Sequence, residues 1–553
     1  MDSAAQLSAP SRWRFYSNIG KRPMPLPLLL AALAVAAFIA TPLVYIAYRG
    51  AAGGADVWLR LAQTRLAGLM FNTLSLAVAV TGGTLVIGVT LAWLVERTDL
   101  PGRTLWRWLL AMPLSIPAFI GAMVHVALWR PRGGMVPQLL SGWLGYPVDT
   151  PSPFGFIGAA AMLTLFMYPY VFLLSAAAFR TLHASLEEAA RSLGRGPWGA
   201  LWHVILPALK PGLGAGALLV ALDILAEYGT VALLRYQTFS SAIFLQLSGR
   251  YDRSAAAVLS AVLIVLGGAL LWGEVKFQGQ ARFYQMTGSW RPAPPTPLGR
   301  WTPLALALVL LVVGMSLVVP VVVLVGWTLQ GWLDTSYAAS VWRFSAQGVW
   351  GYAFNSVWSA GLAAVLAVAL SLPVAYLSAR YPRRTSQALA RLCQVGYALP
   401  GVVIALSLIL LVNRALPFLY TTPLIVVLAY VLRHMPQAVR SSEAALAQVA
   451  PTMEEAARSL GRPPLRAFVN VTLPLILPGL FAGGALVFLT SLKELPATLL
   501  LRPAGFDTLS VRVWITASEG VYTQAAPAAL LLILCAAAPL YFLLKREMRK
   551  RDA

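Results

Sequence analysis

Apolar runs long enough to cross a lipid bilayer recur along this whole chain, and a water-soluble core has no means of burying so many of them. A helix rises about 1.5 Å per residue, so a hydrocarbon core of about 30 Å takes about 20 apolar residues. Stretches of that kind lie near Leu26 to Tyr48, Phe71 to Val95, Leu105 to Trp129, Phe154 to Phe179, Pro211 to Leu234 and Ala255 to Glu274. Six more lie near Pro303 to Leu329, Tyr352 to Ser378, Ala388 to Val412, Pro423 to Val439, Pro478 to Leu501 and Ala526 to Leu544. With 59% of its residues hydrophobic and only 11% charged, the chain belongs in lipid. Inside lipid each backbone amide has to bond within the protein, and segments of this length do so as helices. The expected fold is an all-α polytopic membrane protein of about twelve transmembrane helices, with membrane lipid as its surroundings. A polar arm, residues 1–25, precedes the first stretch, which therefore reads as an uncleaved helix and not as a signal peptide.

The formal charge of +22 invites comparison with nucleic-acid-binding proteins. Its cations, however, are spread over short loops, and no nucleic-acid partner is expected. If both termini are cytoplasmic, most of the 42 Lys and Arg fall in inner segments, the bias that orients membrane proteins. A basic tail, residues 547–553, would then also be cytoplasmic. Cys393 and Cys535, with no paired spacing, support neither a disulfide nor a thiolate metal site.

Self-comparison gives the organisation. Glu187 to Leu213 aligns without gaps onto Glu454 to Leu480 at an offset of 267, with 17 of 27 residues identical. Nine residues in a row, Glu187 to Arg195, recur unchanged as Glu454 to Arg462. A weaker echo joins Phe71-Asn72-Thr73 to Phe354-Asn355-Ser356. Two repeats, 26–290 and 301–546, are thus expected, joined by a proline-rich cytoplasmic linker at 291–300. Each holds an even number of spans, so the two enter the membrane from the same side and run parallel.

The repeated loops, 185–213 and 452–480, each open with the form S/T-x-x-E, at Ser185 and Thr452. That form predicts a capping box, with Glu188 and Glu455 reaching back to the cap residue. Gly194 and Gly461 are placed to end the helix in a left-handed turn, and Pro197 and Pro464 to start another. The spacing Glu-Ala-Ala, three residues, Gly, nine residues, aliphatic, any, Leu-Pro resembles the EAA loop of binding-protein-dependent ABC permeases. In the first copy it is carried by Glu188, Ala189, Ala190, Gly194, Val204 and Leu206-Pro207, and in the second by Glu455, Ala456, Ala457, Gly461, Val471 and Leu473-Pro474. The resemblance implies a MetI-like importer permease in the bacterial inner membrane. It also implies an ABC ATPase dimer seated on the two loops and a periplasmic substrate-binding protein outside.

No G-x-x-x-x-G-K-[ST] occurs, so ATP would be used by the partner ATPase and no cofactor is expected on this chain. His125, His183, His203 and His434 are scattered without ligand spacing, and no Asp-rich cluster suggests a membrane-bound transferase. Acidic residues inside spans are costly and point inward. Asp223, Glu227 and Glu494 are the candidates, and Glu227 falls on Glu494 under the 267 offset, as Arg235 does on Arg502 and Phe239 on Phe506. Two accounts stand side by side here: carboxylates flanking a cation pathway, or structural pairing with Lys493 and nearby backbone. The wording around these residues, Asp223 to Leu234 and Lys493 to Leu509, resembles fused ferric-iron permeases, which implies Fe(III) as substrate. Permeases for thiamine, phosphonate or polyamines share the architecture. An ion-coupled secondary carrier is the reading from another class.

Overall fold

The computed structural model describes residues 24–552, apart from 132, 182–191, 193, 195, 197–198, 200–202, 204, 279–294 and 334–347. Among the described residues, nine helices are long and apolar enough to cross a membrane. They are Leu26–Ala52, Gly54–Arg97, Phe156–Arg180, Leu206–Ala226, Arg253–Gly273, Gly299–Leu333, Val349–Arg380, Pro464–Leu492 and Tyr522–Lys545. Two further stretches are each broken into a pair of helices, which gives up to eleven spans if each pair counts as one. The remaining expected stretch, Pro423 to Val439, does lie in a helix of 24 residues, Leu424–Ala447. Arg433, His434, Arg440 and Glu443 in that helix dilute its apolar character.

Contacts divide the chain into two compact units that do not coincide with its sequence halves. One gathers the described residues through Val44 with Ala360–Tyr397 and Tyr430–Ser491; the other gathers Tyr45–Ser359, Ala398–Ala429 and the chain from Leu492 onward.

In the first unit the Leu473–Leu492 helix lies against Leu424–Ala447 along small residues. A Cβ built on Gly479 would stand 2.6 Å from the Ala445 Cβ, and one on Gly483 would stand 2.6 Å from the Ser441 Cβ. Helices in lipid gain little from hydrophobic burial against one another, so close backbone approach at G-x-x-x-G supplies the van der Waals contact instead. A buried hydrogen bond of 2.8 Å between the Ser371 and Ser442 hydroxyls ties Leu424–Ala447 to Val349–Arg380. Behind them Ala375, Leu446, Val449, Ile476 and Leu480 form an apolar core. Gly483→Leu is expected to lower the unfolding free energy by about 1–3 kcal/mol or more through overpacking. The check is a thermal midpoint in detergent, and an unchanged midpoint would show that the backbones do not approach this closely.

The second unit repeats the device 267 residues earlier. Gly212 faces the Ala178 Cβ at 3.1 Å and Gly216 the Val171 Cα at 3.3 Å, which seats Leu206–Ala226 on Phe156–Thr181. These two helices and Ala67–Arg97 enclose Leu76, Val80, Leu163, Val171, Val220 and Ile224. The expected span Leu105 to Trp129 is bent here. Arg103–Ala111 tightens into a 3-10 turn, Met112–Ser115, and Ala118–Trp129 leaves at 93°. Pro113 and Pro117 lack the amide donors that a continuous helix needs, and the bend falls between them and Ala118.

Candidate functional site

The second repeated loop is fully described. Its first helix, Pro451–Ser459, is preceded by Ala450, which offers no side-chain cap. The capping box expected at Thr452 is therefore not formed. Proline suits the first helical position because its ring fixes φ and its missing amide is not needed, so the helix starts at Pro451 and Thr452 lies inside it. The far end follows expectation. Gly461 takes φ of 83°, its amide donates to the Arg458 carbonyl at 3.0 Å, and the Arg462 amide donates to the Ala457 carbonyl at 3.2 Å. This is the Schellman arrangement, which occupies the last free carbonyls of the helix. Pro464–Ala467 opens the next helix, and a wide five-residue turn, Phe468–Thr472, carries it into Leu473–Leu492.

Each residue turns a helix by about 100°, so the adjacent carboxylates of Glu454 and Glu455 point to different surroundings. Glu454 is buried, whereas Glu455 is half-buried. The Tyr376 hydroxyl donates to the Glu454 Oε1, and the Thr472 hydroxyl donates to its Oε2 at 3.2 Å. Arg380 Nε lies 3.8 Å from the same Oε2. Ala456 is exposed and Ala457 half-buried. Met453, Ala456 and Leu460 follow at helical spacing on the outer face, with Leu460 85% exposed. Of the first loop, Glu188, Ala189 and Ala190 lie outside the described residues. Gly194 is described, and its φ of 79° matches that of Gly461.

Glu227 and Glu494 sit where long helices break, and Asp223 lies in the last turn of the first of these helices. Leu206–Ala226 ends just before Glu227, and a short helix, Gly229–Leu233, follows; Leu473–Leu492 ends just before Lys493 and Glu494, and Pro496–Leu501 follows. Glu227 Oε1 accepts from the Thr230 amide at 2.8 Å, and Glu494 Oε1 accepts from the Ala497 amide at 3.4 Å. Both carboxylates therefore occupy free amides at the start of the short helix, where a negative charge is also favoured by the helix dipole. Lys493 Nζ donates to the Leu114 carbonyl at 2.9 Å, in the 3-10 turn of the bent span, and the charges of Asp223 and Glu227 act on it. Glu494 is buried, and Asp223 and Glu227 are half-buried. Among the described residues no group of three or more His, Cys, Asp and Glu is arranged to hold a metal ion.

Both halves also carry a clasp that the sequence showed only as a faint echo. Asn72 Nδ2 donates to the Gln237 carbonyl at 3.1 Å, while Thr73 Oγ1 accepts from the Phe239 amide at 3.1 Å. In the second half Asn355 Nδ2 donates to the Asp507 carbonyl at 3.0 Å, and Ser356 Oγ accepts from the Leu509 amide at 2.8 Å. The structural counterpart of Phe239 is therefore Leu509 and not Phe506, because the second loop is longer by three residues and turns at Gly505, φ 81°. Helices Phe239–Ser248 and Leu509–Ser518 start at these clasps, behind Thr238 and Thr508. The signal that would have revealed the clasp is the pairing of each Phe-Asn-Thr/Ser with the threonine cap that follows an arginine further along. Glu454 could have been found from the doubled glutamate common to both loops.

Residues 84–272 and 371–548 each match the family model for the binding-protein-dependent transport system inner membrane component. The chain belongs to this family. Among relatives of this permease, the Fe(3+)-transport system permease protein FbpB 2 of Haemophilus influenzae is 34% identical over 529 residues, covering 95% of this chain and 99% of that protein. The ferric transport system permease protein FbpB of Actinobacillus pleuropneumoniae is 24% identical over 442 residues, 78% of this chain and 64% of its own length. The sulfate transport system permease protein CysT of Escherichia coli is 28% identical over 193 residues, 34% of this chain and 67% of its own. This permease is thus the multi-pass inner-membrane component of an ABC importer, with two copies of the family's domain in one chain. Its part is passage across the membrane, in company with an ATPase and a binding protein; ATP hydrolysis belongs to the ATPase.

Proposed function

We propose that this permease carries ferric iron inward. Likeness to an iron permease along nearly its whole length is the observation that carries the reading. Ferric ion is hard and prefers oxygen ligands, and the acids at or beside the helix breaks, Asp223, Glu227 and Glu494, supply carboxylate oxygens on the proposed path. Glu227 and Glu494 are also held by amides, so each keeps a fixed position while offering its remaining lone pairs. A conduit works best with weak sites, so the proposed path calls for single carboxylates and not a closed ligand cage.

Both termini and the two repeated loops lie on the cytoplasmic side in this reading. One copy of an ATPase engages each loop through Glu188, Ala189, Ala190 and Gly194 in the first and Glu455, Ala456, Ala457 and Gly461 in the second. The exposed Met453 and Leu460 extend the second contact as an apolar ridge. Radiolabelled ferric ion, with thiamine, sulfate and phosphonate as competitors, tests the substrate in proteoliposomes that hold the permease, its ATPase and its binding protein. ATP-dependent accumulation of iron, undiminished by the competitors, is expected. Accumulation without ATP, or uptake of a competitor in place of iron, would sink the reading.

A further inference from the structure

We infer that Tyr228 is the latch that holds the path shut toward its outer end, and that it acts from the helix break of the first half. This rests on the reading above, in which the acids at the helix breaks mark the path. In the topology proposed there, Leu206–Ala226 climbs from the cytoplasmic side for about 30 Å before it breaks, at about 1.5 Å per residue, so the break stands toward the outer face. Tyr228 follows Glu227 in that break and is 7% exposed. Its ring stacks on Phe244, with centroids 4.1 Å apart and planes at 29°, and leans on Trp514 at 5.3 Å and 49°. Phe119, in the Ala118–Trp129 helix, meets Trp514 edge-on at 6.2 Å and completes the group.

Phe244 and Trp514 are counterparts. Each stands six residues after a threonine, Thr238 in one half and Thr508 in the other, on the helices Phe239–Ser248 and Leu509–Ser518. Tyr228 therefore bridges matching positions of the two halves. The clasps at Asn72 and Asn355 fix the start of both helices, so the two flanking rings have firm supports. Tyr228 itself lies between helices, where the backbone turns without unwinding a span. At the second break the 267 offset places Leu495, which brings no ring. Leu495 packs against the first break instead: a Cβ built on Gly229 would stand 3.0 Å from Leu495 Cδ2 and 3.0 Å from Phe119 Cβ. Only a residue without a side chain admits both so closely, and the two breaks meet there. Rings in contact fill a passage with apolar surface, and a hydrated ion does not cross it until they part. The attraction between ring pairs is specific yet small, which suits a contact that must open in every transport cycle. Rings that served core packing alone would contribute to yield and to the thermal midpoint, but not to leak.

The test uses the permease with its ATPase in proteoliposomes and reads two quantities: ATP hydrolysis before the binding protein is added, and passive efflux of entrapped rubidium. Tyr228→Ala is expected to raise both about tenfold, the fold-change of two lost ring contacts. Tyr228→Phe, which keeps the ring, and Leu495→Ala, at the matching place in the other half, are expected to behave as the parent. Trp514→Leu removes one ring and keeps apolar bulk; it is expected to raise both quantities about threefold, and it carries the test if Tyr228→Ala does not fold. A rise in either quantity that spares Tyr228→Phe and Leu495→Ala supports the latch. Parent-like values for Tyr228→Ala in both, or an equal rise in Tyr228→Phe or Leu495→Ala, overturn it. Neither quantity involves iron, so a wrong substrate would leave this result standing and would be seen in the labelled uptake instead.

Discussion

With Glu188 and Glu455 both replaced by Arg, ATPase co-purification is expected to be lost and uptake to fall by at least about a hundredfold, or about 2.8 kcal/mol. Glu455 is half-buried on a loop helix that exposes Met453 and Ala456, so its side chain lies at the edge of the surface offered to a partner. A partner groove that accepts a carboxylate meets a guanidinium instead, and like-charge juxtaposition at an interface costs several kcal/mol. The nine-residue identity of the loops makes the two contacts alike, so each single change should weaken binding and the pair should abolish it. Glu454 must stay unaltered in this experiment, since its carboxylate is turned inward and holds the loop helix. Co-purification and labelled uptake in the same preparation check the result, and full transport by the doubly reversed chain would refute the docking assignment.

Lys493→Met is expected to destabilise the folded permease by about 1–3 kcal/mol, the usual cost of leaving a carbonyl acceptor, here that of Leu114, without its donor. The ammonium donates to the Leu114 carbonyl at 2.9 Å, and its loss also lowers the positive charge in the region of Asp223 and Glu227. Adding Asp223→Asn and Glu227→Gln should restore much of the loss, because the neutral side chains no longer call for a cation. Yield of folded protein from membranes and the detergent midpoint give the two sides of a mutant cycle, and strong non-additivity is the expected outcome. Equal stability of Lys493→Met and the parent would show that the cation contributes nothing to this region. Iron uptake by the restored triple variant then separates the two accounts of these acids. A pairing role survives neutralisation, and a pathway role does not.

The spans were legible because hydropathy is a sum over about 20 residues and lipid imposes that length. The same summation hid the breaks at Glu227 and Lys493, where apolar residues on both sides, Ile224 to Ala226 and Leu495 to Leu501, keep a window apolar across a chain that leaves the helix. The loop repeat was plain from identity, and its glycine turn followed from elementary backbone sterics. Its starting residue was misread because Thr452 and Pro451 compete as start signals, and the proline decides. The inward turn of Glu454 depends on Tyr376, 78 positions away, a pairing that one chain does not reveal. Register across the second clasp failed for a similar reason. Three additional residues around Gly505 break a constant offset while leaving the fold after Thr508 intact.

The wide turn Phe468–Thr472 bonds each amide one residue further back than an α-helix does, and so stores a surplus residue between the loop helix and its span. His203 and Ile205 adopt the same geometry at the matching place in the first half. A connecting rod with slack of this kind can migrate its bulge along the axis, changing reach by about 1.5 Å and heading by about 100° per residue while the lipid-embedded cylinder stays wound. In the coupling role proposed for the loops, a stroke delivered from the ATPase would meet this wider turn before it meets Leu473–Leu492.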